Sequence, residues 1–397
     1  MHLTSDIECG NGKIFQTGSY DYRVETLGHT WWPGAYNQYF CFKIKAEPAE
    51  DVVLRISIYP DSALGFKSHF MTHFPSKIWF KDMGRKRYFW QCLDMVLGAE
   101  TRFFKDHIEL TLPMEPGMDI ILSNCIPLPH SEYNEWLNTL ASQHANVLKI
   151  ETAGESFEGR PLSVARFLPS RAGLPKVFIL AGMHSSEFSG VWASMGIIEY
   201  LLSSIREARE YRENLDIAIL PMMNPDGNVH GYSGHTAEHL DVNISADFRD
   251  FAQGKLPKTK ENRVLWQWLV ENFIPDYFLH FHGYKGGSAG TTPHDGLYGL
   301  KDPAATYTDK KHLDRYQATY QRFLFETPGL SAHWRRLGSF GDYMMDFHLA
   351  KQYGTISWLY EVNGSTVSCN DQFQRGPQVF GALARAILRD IEPDGRA

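Results

Sequence analysis

Residues 180–188 read Leu-Ala-Gly-Met-His-Ser-Ser-Glu-Phe, and this stretch joins a buried strand to an amphipathic helix. The apolar run at 176–180 predicts the strand, and apolar residues at helical intervals over 191–202 predict the helix. His184 and Glu187 therefore lie where open α/β sheets place their ligand sites, on a loop that leaves the carboxyl end of a strand. Zn²⁺ accepts both imidazole and carboxylate ligands, but a catalytic zinc site needs a third protein ligand from elsewhere in the chain.

The composition is that of an ordinary globular protein, with 43% hydrophobic and 21% charged residues among 397. A net charge of -7 argues against nucleic acid as a partner, because binding by counterion release needs a basic surface. The five cysteines are odd in number and include no Cys-x-x-Cys pair, which favours a reducing, cytoplasmic compartment. No signal-peptide pattern or membrane-spanning run is present, so we expect no membrane partner. The oligomeric state stays open.

The pattern along the chain predicts two domains. Residues 1–130 contain short alternating or aromatic runs broken by turn residues, which is typical of an antiparallel β-sandwich. Residues 131–397 alternate strands with helices, which predicts a largely parallel or mixed sheet with helices on both faces. Ser131 is the predicted cap of the first helix of this second domain. We interpret His69 and His73 as surface or groove residues, because no third metal ligand accompanies them.

Polar side chains follow the other predicted strands of the second domain. The strand at 217–220 is followed by Asn-Pro-Asp-Gly at 224–227, and then by Asp241 and Asn243. The strand at 277–281 leads into His282, and the strand that begins at Ile356 ends at Glu361. Four strand ends with such residues make a chance occurrence of the first His and Glu much less plausible.

Together these motifs resemble the zinc metallocarboxypeptidase family (carboxypeptidase A-like), and most closely its cytosolic-carboxypeptidase branch, in which a β-sandwich precedes the catalytic domain. The resemblance implies an α/β fold with a mixed, mostly parallel eight-stranded sheet flanked by helices. The matching motifs are Gly154-Glu155-Ser156 with Glu158-Gly159-Arg160-Pro161, His184-x-x-Glu187, Asn224-Pro225-Asp226-Gly227, Asp241-x-Asn243, His282, and Tyr353-Gly354 before the strand ending at Glu361.

The resemblance also implies roles for individual residues. His184, Glu187 and His282 are the expected ligands of one zinc ion per chain, and Glu361 is the expected general base. Two neutral imidazoles and one carboxylate suit such an ion, because they leave it partly positive with a place open for water. Asp241 is the expected outer partner of a ligand imidazole. We interpret His280, deeper on the same side of its strand as His282, as a packed or supporting histidine.

The substrate side departs from the family pattern. Ile244 follows Asn243, where the family has an arginine that binds the C-terminal carboxylate of the substrate. Gly234, next to His235, stands where another family arginine stabilises the oxyanion. Isoleucine has no hydrogen-bond donor, so bidentate recognition of a carboxylate at position 244 is excluded.

Three functions therefore stay open. In the first, the protein is a carboxypeptidase in which Arg249, Arg335 or Arg336 replaces the missing clamp and His235 is the oxyanion donor. In the second, it is an amidase or deacylase that needs no free C-terminal carboxylate. The third, a zinc-binding module without catalysis, is least favoured because such a module has no need of a base.

Two further substrate contacts follow from the resemblance. Asn243 belongs to the motif that contacts substrate in the family. The family tyrosine that covers the substrate pocket aligns with Met345, and Tyr343 is the nearest residue able to replace it. Tyr343 is equally well interpreted as a core aromatic. The side-chain preference of the substrate pocket is not predicted.

Overall fold

The computed structural model describes the chain except for residues 28–38, 48, 50, 61–76, 85–88, 105, 233, 239–246, 285–294, 328–337, 365 and 392–397. The predictions for any residue in those gaps stay predictions. Seven residues discussed above lie outside the described part of the chain: His69, His73, Asp241, Asn243, Ile244, Arg335 and Arg336.

The N-terminal part forms two five-stranded sheets that share one apolar core. Along its strands, buried residues alternate with more exposed ones, as expected when one face of a sheet packs on another sheet. The ten strands among the described residues of this part are β1 (His2–Thr4), β2 (Lys13–Gln16), β3 (Asp21–Glu25), β4 (Cys41–Lys45), β5 (Val52–Tyr59), β6 (Trp79–Asp82), β7 (Trp90–Cys92), β8 (Glu100–Phe103), β9 (Ile108–Met114) and β10 (Asp119–Ser123).

The first of these sheets has the order β1-β4-β10-β6-β7 and is antiparallel throughout. The second has the order β2-β3-β5-β9-β8, in which β3 and β5 are parallel. This pair departs from the antiparallel prediction because the chain crosses to the other sheet through β4 before it returns as β5. The predicted N-terminal antiparallel sheets are otherwise confirmed.

The second part of the chain is built on one mixed sheet of eight strands, as predicted. Its order is β11-β12-β14-β13-β15-β18-β16-β17, and the four central strands β14, β13, β15 and β18 are parallel. Their bounds and those of the outer strands are β11 (Leu148–Glu155), β12 (Pro161–Phe167), β13 (Lys176–Leu180), β14 (Asp216–Leu220), β15 (Tyr277–Tyr284), β16 (Gly296–Leu300), β17 (Gly338–Phe340) and β18 (Ile356–Asn363).

Helices cover both faces of this sheet. Apolar side chains of α2, α7 and α9 pack on one face, and those of α5 and α8 pack on the other. The central strands are therefore buried on both sides, which explains their continuous apolar runs. The helices are α1 (His130–Gln143), α2 (Phe188–Leu202), α3 (Arg206–Asn214), α4 (Pro225–Val229), α5 (Lys260–Asn272), α6 (Pro303–Thr306), α7 (Lys310–Glu326), α8 (Met345–Tyr353) and α9 (Cys369–Ile391).

Several predicted boundaries are shifted. The helix expected from residue 191 begins at Phe188, and Glu361 lies two residues before the end of β18 instead of at its end. The prediction that Ser131 caps α1 is wrong, because α1 begins at His130 and no side chain caps it. The hydroxyl of Ser131 instead bonds to the carboxylate of Glu8.

The two parts of the chain share a second apolar core. Buried residues of the N-terminal sheets pack in the same cluster as those of α2 and the eight-stranded sheet. Within it the indole N–H of Trp192 donates to the carbonyl oxygen of Ile126 at 2.8 Å. The domain boundary at 130/131 stays a prediction.

Within the described ranges, no single helix is both long and apolar enough to cross a membrane. Only α2 and α3 counted together, with a bend of 96° between them, would be long and apolar enough.

The crossing of α2 and α9 depends on two glycines. A Cβ atom at Gly376 would overlap with the carbonyl oxygen of Ala193, and one at Gly196 would overlap with that of Phe373. The absence of side chains at these two positions therefore sets how closely the two helices approach.

We predict that Gly376→Ala lowers the free energy of unfolding by about 1–3 kcal/mol, because the two backbones must separate. Gly381→Ala in the same helix is the matched control. Its Cβ would come closest to the flexible tip of Arg385, at 3.3 Å, and would make ordinary contact with Tyr211 at 3.8 Å, so the better helix propensity of alanine should add about 0.5–1 kcal/mol. Denaturant unfolding of both variants measures the contrast, and equal effects would contradict this packing.

Candidate metal centre

The loop after β13 carries His184 and Glu187 and is fixed to the loop after β14. The carbonyl oxygen of Gly182 accepts a hydrogen bond from the backbone N–H of Asn224 at 3.0 Å. Gly182 has a φ of +67°, and a Cβ atom there would lie 2.9 Å from the carbonyl oxygen of Pro221. Only glycine allows this conformation without strain, so the sequence Ala-Gly-Met-His turns sharply at the strand end.

His282 and Glu361 come from neighbouring parallel strands. The register of β15 and β18 pairs the two residues directly. Strand alternation places His282 on the same side of β15 as Phe278, which packs in the core beneath α5 and α8. The polar residues therefore meet on this side of the sheet, near the carboxyl ends of β13, β15 and β18.

Three of these side chains converge on a small volume. Nδ1 of His184 lies 2.9 Å from Oε1 of Glu187, and Nδ1 of His282 lies 2.8 Å from Oε2. The backbone N–H of Gly283 also donates to Oε2 of Glu187, at 3.1 Å. The candidate ligand atoms of the three residues all lie within 4.8 Å of one another. The site is well shielded, since the three side chains are only 5%, 12% and 5% exposed.

This donor set fits zinc. Tetrahedral zinc with bonds of about 2.0–2.2 Å holds its ligand atoms about 3.3–3.6 Å apart, so the two pairs at 2.9 Å and 2.8 Å would need to separate by less than about 1 Å. Nε2 of His282 and Oε2 of Glu361 are buried and have no hydrogen-bond partner among the described residues. Two Nδ1 atoms and a carboxylate thus face inward, with a second carboxylate beside them.

The charges of the cluster favour metal binding. Burial, reinforced by the nearby His280, lowers the pKa of His282 to about 4, so its imidazole is neutral near pH 7. Burial alone would raise the pKa of Glu187, but His184 and His282 outweigh it and hold the pKa well below its usual value. Burial and then the charge of Glu187 raise the pKa of Glu361 well above its usual value. A cation at this point would relieve the repulsion between the two carboxylates.

His235 and the loop that carries His184 and Glu187 both bond to Asn224 of the Asn-Pro-Asp-Gly motif. His235 is 8% exposed, and its ring stacks on Tyr232 with 4.2 Å between ring centroids. The side chain of Asn224 joins the two segments, because its Nδ2 donates to the carbonyl oxygens of His235 at 2.8 Å and Met183 at 3.3 Å. The predicted oxyanion donor is therefore tied to the metal-ligand loop through one asparagine.

Arg249 and Tyr343 lie on two segments that are joined by a backbone bond. The N–H of Phe248 donates to the carbonyl oxygen of Tyr343 at 3.1 Å. Arg249 is exposed and forms no salt bridge with a described residue. Burial and the charge of Asp346 raise the pKa of Tyr343, whereas Arg249 opposes the shift. The guanidinium and the phenol therefore lie close enough to influence each other. Met345, which aligns with the family tyrosine, is instead buried in the core.

Asp226 of the same motif holds the segment 156–160 in place. This aspartate is fully buried, and its Oδ1 accepts hydrogen bonds from Oγ of Ser156 and Nη1 of Arg160, each at 2.7 Å. Its Oδ2 accepts from the backbone N–H of Glu158 at 2.8 Å. The two motifs that resemble the family, near 155–161 and 224–227, are thus one bonded unit.

Two buried acids were not singled out from the sequence. Asp346 lies in the first turn of α8 and bonds to His280, and Glu261 lies in the first turn of α5. The only available signal was an acidic residue near a helix start, which is common on protein surfaces. Their burial depends on tertiary packing and could not be predicted.

Glu261 gives a prediction about pH. Burial raises its pKa to about 7, and a hydrogen bond from the N–H of Phe157 opposes only part of the shift. Its stabilising contribution is therefore fully present below the unfolded pKa of 4.5 and is lost as the pH rises through about 7. We expect the free energy of unfolding of Glu261→Gln not to show this decrease with rising pH, which is on the order of 3 kcal/mol. Denaturant unfolding of both proteins from pH 5 to pH 8 measures the difference, and a constant difference would contradict the assignment.

A family model described as zinc carboxypeptidase matches residues 133–243, which include the ligand loop. This part of the chain is therefore similar to zinc carboxypeptidases. Cytosolic carboxypeptidase 2 of Danio rerio is 26% identical over 309 residues, covering 72% of this chain and 41% of that protein. Cytosolic carboxypeptidase 1 of Gallus gallus is 40% identical over 112 residues, which are 28% of this chain and 9% of that protein.

The chain thus spans less than half of the length of these two relatives. A solved structure shares the fold of the eight-stranded sheet and the N-terminal sheets together. A metallo-carboxypeptidase from Burkholderia cenocepacia has a TM-score of 0.77 at 17% identity, covering 98% of this chain and 99% of that one. The predicted fold class is confirmed over almost the whole chain.

Proposed function

We propose that this chain is a zinc-dependent hydrolase of a peptide or amide bond that binds one zinc ion. The observation that carries the proposal is the convergence of two imidazole Nδ1 atoms and the carboxylate of Glu187, with Glu361 paired beside His282 on the next strand. The domain match and the carboxypeptidase relatives support the same reaction class.

The residues divide the chemistry between them. Zinc held by His184, Glu187 and His282 would supply a charge that polarises the scissile carbonyl and acidifies a water. Glu361 accepts a proton from the attacking water and returns it to the leaving amine. Asp241 is the proposed outer partner of a ligand imidazole.

For the substrate we propose a peptide with a free C-terminus. Arg249 supports this choice, because it is an exposed guanidinium without a salt bridge to a described residue and its charge reaches Tyr343. Asn243 and His235 are proposed to contact the substrate, with His235 as the oxyanion donor. Tyr343 is the proposed hydroxyl donor at the pocket.

The sequence also favours a second candidate, an amidase or deacylase on the same frame. Ile244 and Gly234 stand where the family has arginines for the carboxylate and the oxyanion. An enzyme that cleaves an internal or capped amide has no use for a carboxylate clamp.

Hydrolysis rates on three substrates distinguish the carboxypeptidase from the amidase. The zinc-loaded protein is given a short peptide with a free C-terminus, the same peptide amidated at the C-terminus, and an N-acyl amino acid. We expect the peptide with a free C-terminus to be cleaved and the amidated peptide to be cleaved much more slowly. Equal rates on both peptides would favour the amidase. A purified chain that takes up far less than one zinc and hydrolyses nothing after zinc is added would overturn both.

We further propose a cytoplasmic location without membrane or nucleic-acid partners. All five cysteines are buried and free, which suits a reducing compartment. Two relatives are named cytosolic. The oligomeric state is left open.

A further inference from the structure

A buried pair of residues lies directly behind the metal ligand His282. His280 and Asp346 are both fully buried, and Nδ1 of His280 lies 3.2 Å from Oδ2 of Asp346. The rings of His280 and His282 are 4.3 Å apart between centroids. The pair therefore touches the candidate zinc site from the protein interior.

Hydrogen-bond chemistry fixes which nitrogens carry protons. With Asp346 as the acceptor, its bond to His280 places a proton on Nδ1 of His280 and leaves Nε2 as an acceptor. His282 has the opposite arrangement when its Nδ1 binds metal, because its Nε2 then carries the proton. Neither Nε2 atom has a hydrogen-bond partner among the residues that the structure describes. An unpartnered donor and an unpartnered acceptor thus lie on adjacent buried rings.

Asp346 is itself held firmly. It occupies the first turn of α8, where the helix dipole stabilises a carboxylate. Its backbone carbonyl oxygen accepts from the hydroxyl of Ser357 on β18 at 3.2 Å. Asp346 thus connects the two strands, because its carboxylate bonds to His280 on the strand of His282 and its backbone oxygen bonds to Ser357 on the strand of Glu361.

We propose that Asp346 and His280 are positioning residues for the zinc ligand His282. His280 supplies the acceptor for the outer N–H of His282, directly or through one water, and Asp346 holds His280 in the tautomer that can accept. Metal-ligating histidines almost always donate their other N–H in this way, and the partner raises the basicity of the ligand. This inference rests on the proposed function, because it assumes that zinc binds at His282.

The test is zinc affinity, measured by competition with a chromogenic chelator, together with the visible absorption spectrum of the cobalt-substituted protein. His280→Phe keeps a ring of similar size but removes both nitrogens. We expect it to weaken zinc binding about 10–100-fold, the usual cost of losing an outer partner, and to alter the cobalt spectrum.

His348→Phe is the matched control. His348 is also buried and lies on α8 beside Asp346, but its Nε2 donates to the backbone oxygen of Asp342 at 2.7 Å. His348→Phe should bind zinc as tightly as the unmodified protein and should have the same cobalt absorption spectrum. Natural affinity in His280→Phe would overturn the proposal, as would an equal loss in both variants.

A second variant keeps the test decisive if His280→Phe fails to fold. Asp346→Asn retains an oxygen that accepts from His280 but removes the charge, so we expect a smaller loss of zinc affinity in the same direction. Unchanged affinity in this folded variant would overturn the inference. A natural chain that takes up no zinc would instead overturn the proposed function, which distinguishes the two failures.

Discussion

Glu361→Gln is expected to bind zinc as tightly as the natural chain and to hydrolyse its substrate about 10²–10⁴-fold more slowly. Glutamine has nearly the size of glutamate and can still form hydrogen bonds, but it does not accept a proton at neutral pH. The variant therefore distinguishes zinc binding from proton transfer, because the metal ligands remain while the base is lost. The measurements are kcat/KM on the best of the three substrates and zinc content by atomic emission.

Glu261→Gln is the control for this experiment. It makes the same chemical change at another buried glutamate, on α5 and outside the proposed catalytic residues. Its rate should stay close to that of the natural chain. If Glu361→Gln hydrolyses its substrate at the rate of the unmodified protein, Glu361 is not the base. An equal loss of rate in both variants would indicate that each substitution disturbs the fold.

Asp226→Ala should lower the free energy of unfolding by about 3–5 kcal/mol, because it removes a buried carboxylate that accepts three hydrogen bonds, while Arg160 keeps its other partner, Glu158. The substitution also removes the acceptor for the hydroxyl of Ser156 and for the N–H of Glu158. Asp226→Asn keeps one acceptor oxygen and should cost less. Denaturant unfolding at pH 7 measures both variants.

The Asp21–Arg55 pair provides the comparison for Asp226. These two side chains lie 3.3 Å apart and are 44% and 65% exposed. Asp21→Ala should therefore change stability by less than about 1 kcal/mol. If Asp226→Ala costs no more than Asp21→Ala, the bonded unit of segments 156–160 and 224–227 contributes little to stability.

The alternation of strands and helices was enough to predict the class of fold. Apolar runs such as 176–180 indicate strands buried on both faces, and the polar residues after them indicate one edge of the sheet. The residues of the candidate metal cluster could be chosen because they follow predicted strands and match the motifs of the family that the sequence resembles; the spacing of His184 and Glu187 alone was a weak signal. The pairing of His282 with Glu361 could not, because strand order and register depend on contacts across the whole sheet.

Other features escaped prediction for similar reasons. The bond between His280 and Asp346 joins a strand to a helix 66 residues away, and nothing local to either residue indicates it. Ser131 has the residue type of a helix cap, but a tertiary contact with Glu8 takes its hydroxyl. Local chemistry specified what each residue is able to do, and packing decided which of these interactions formed.

The parallel pairing of β15 and β18 also has a consequence for synthesis. Glu361 follows Glu187 by 174 residues, the difference between their positions. At about 5–20 residues per second, translation reaches it roughly 9–35 s after the first two candidate ligands have been made. For most of that interval the residues of β13 and β14 have been made, but those of β18 have not. The nascent chain thus presents His184 and Glu187 to cellular metal ions well before it contains the carboxylate that we assign as the base.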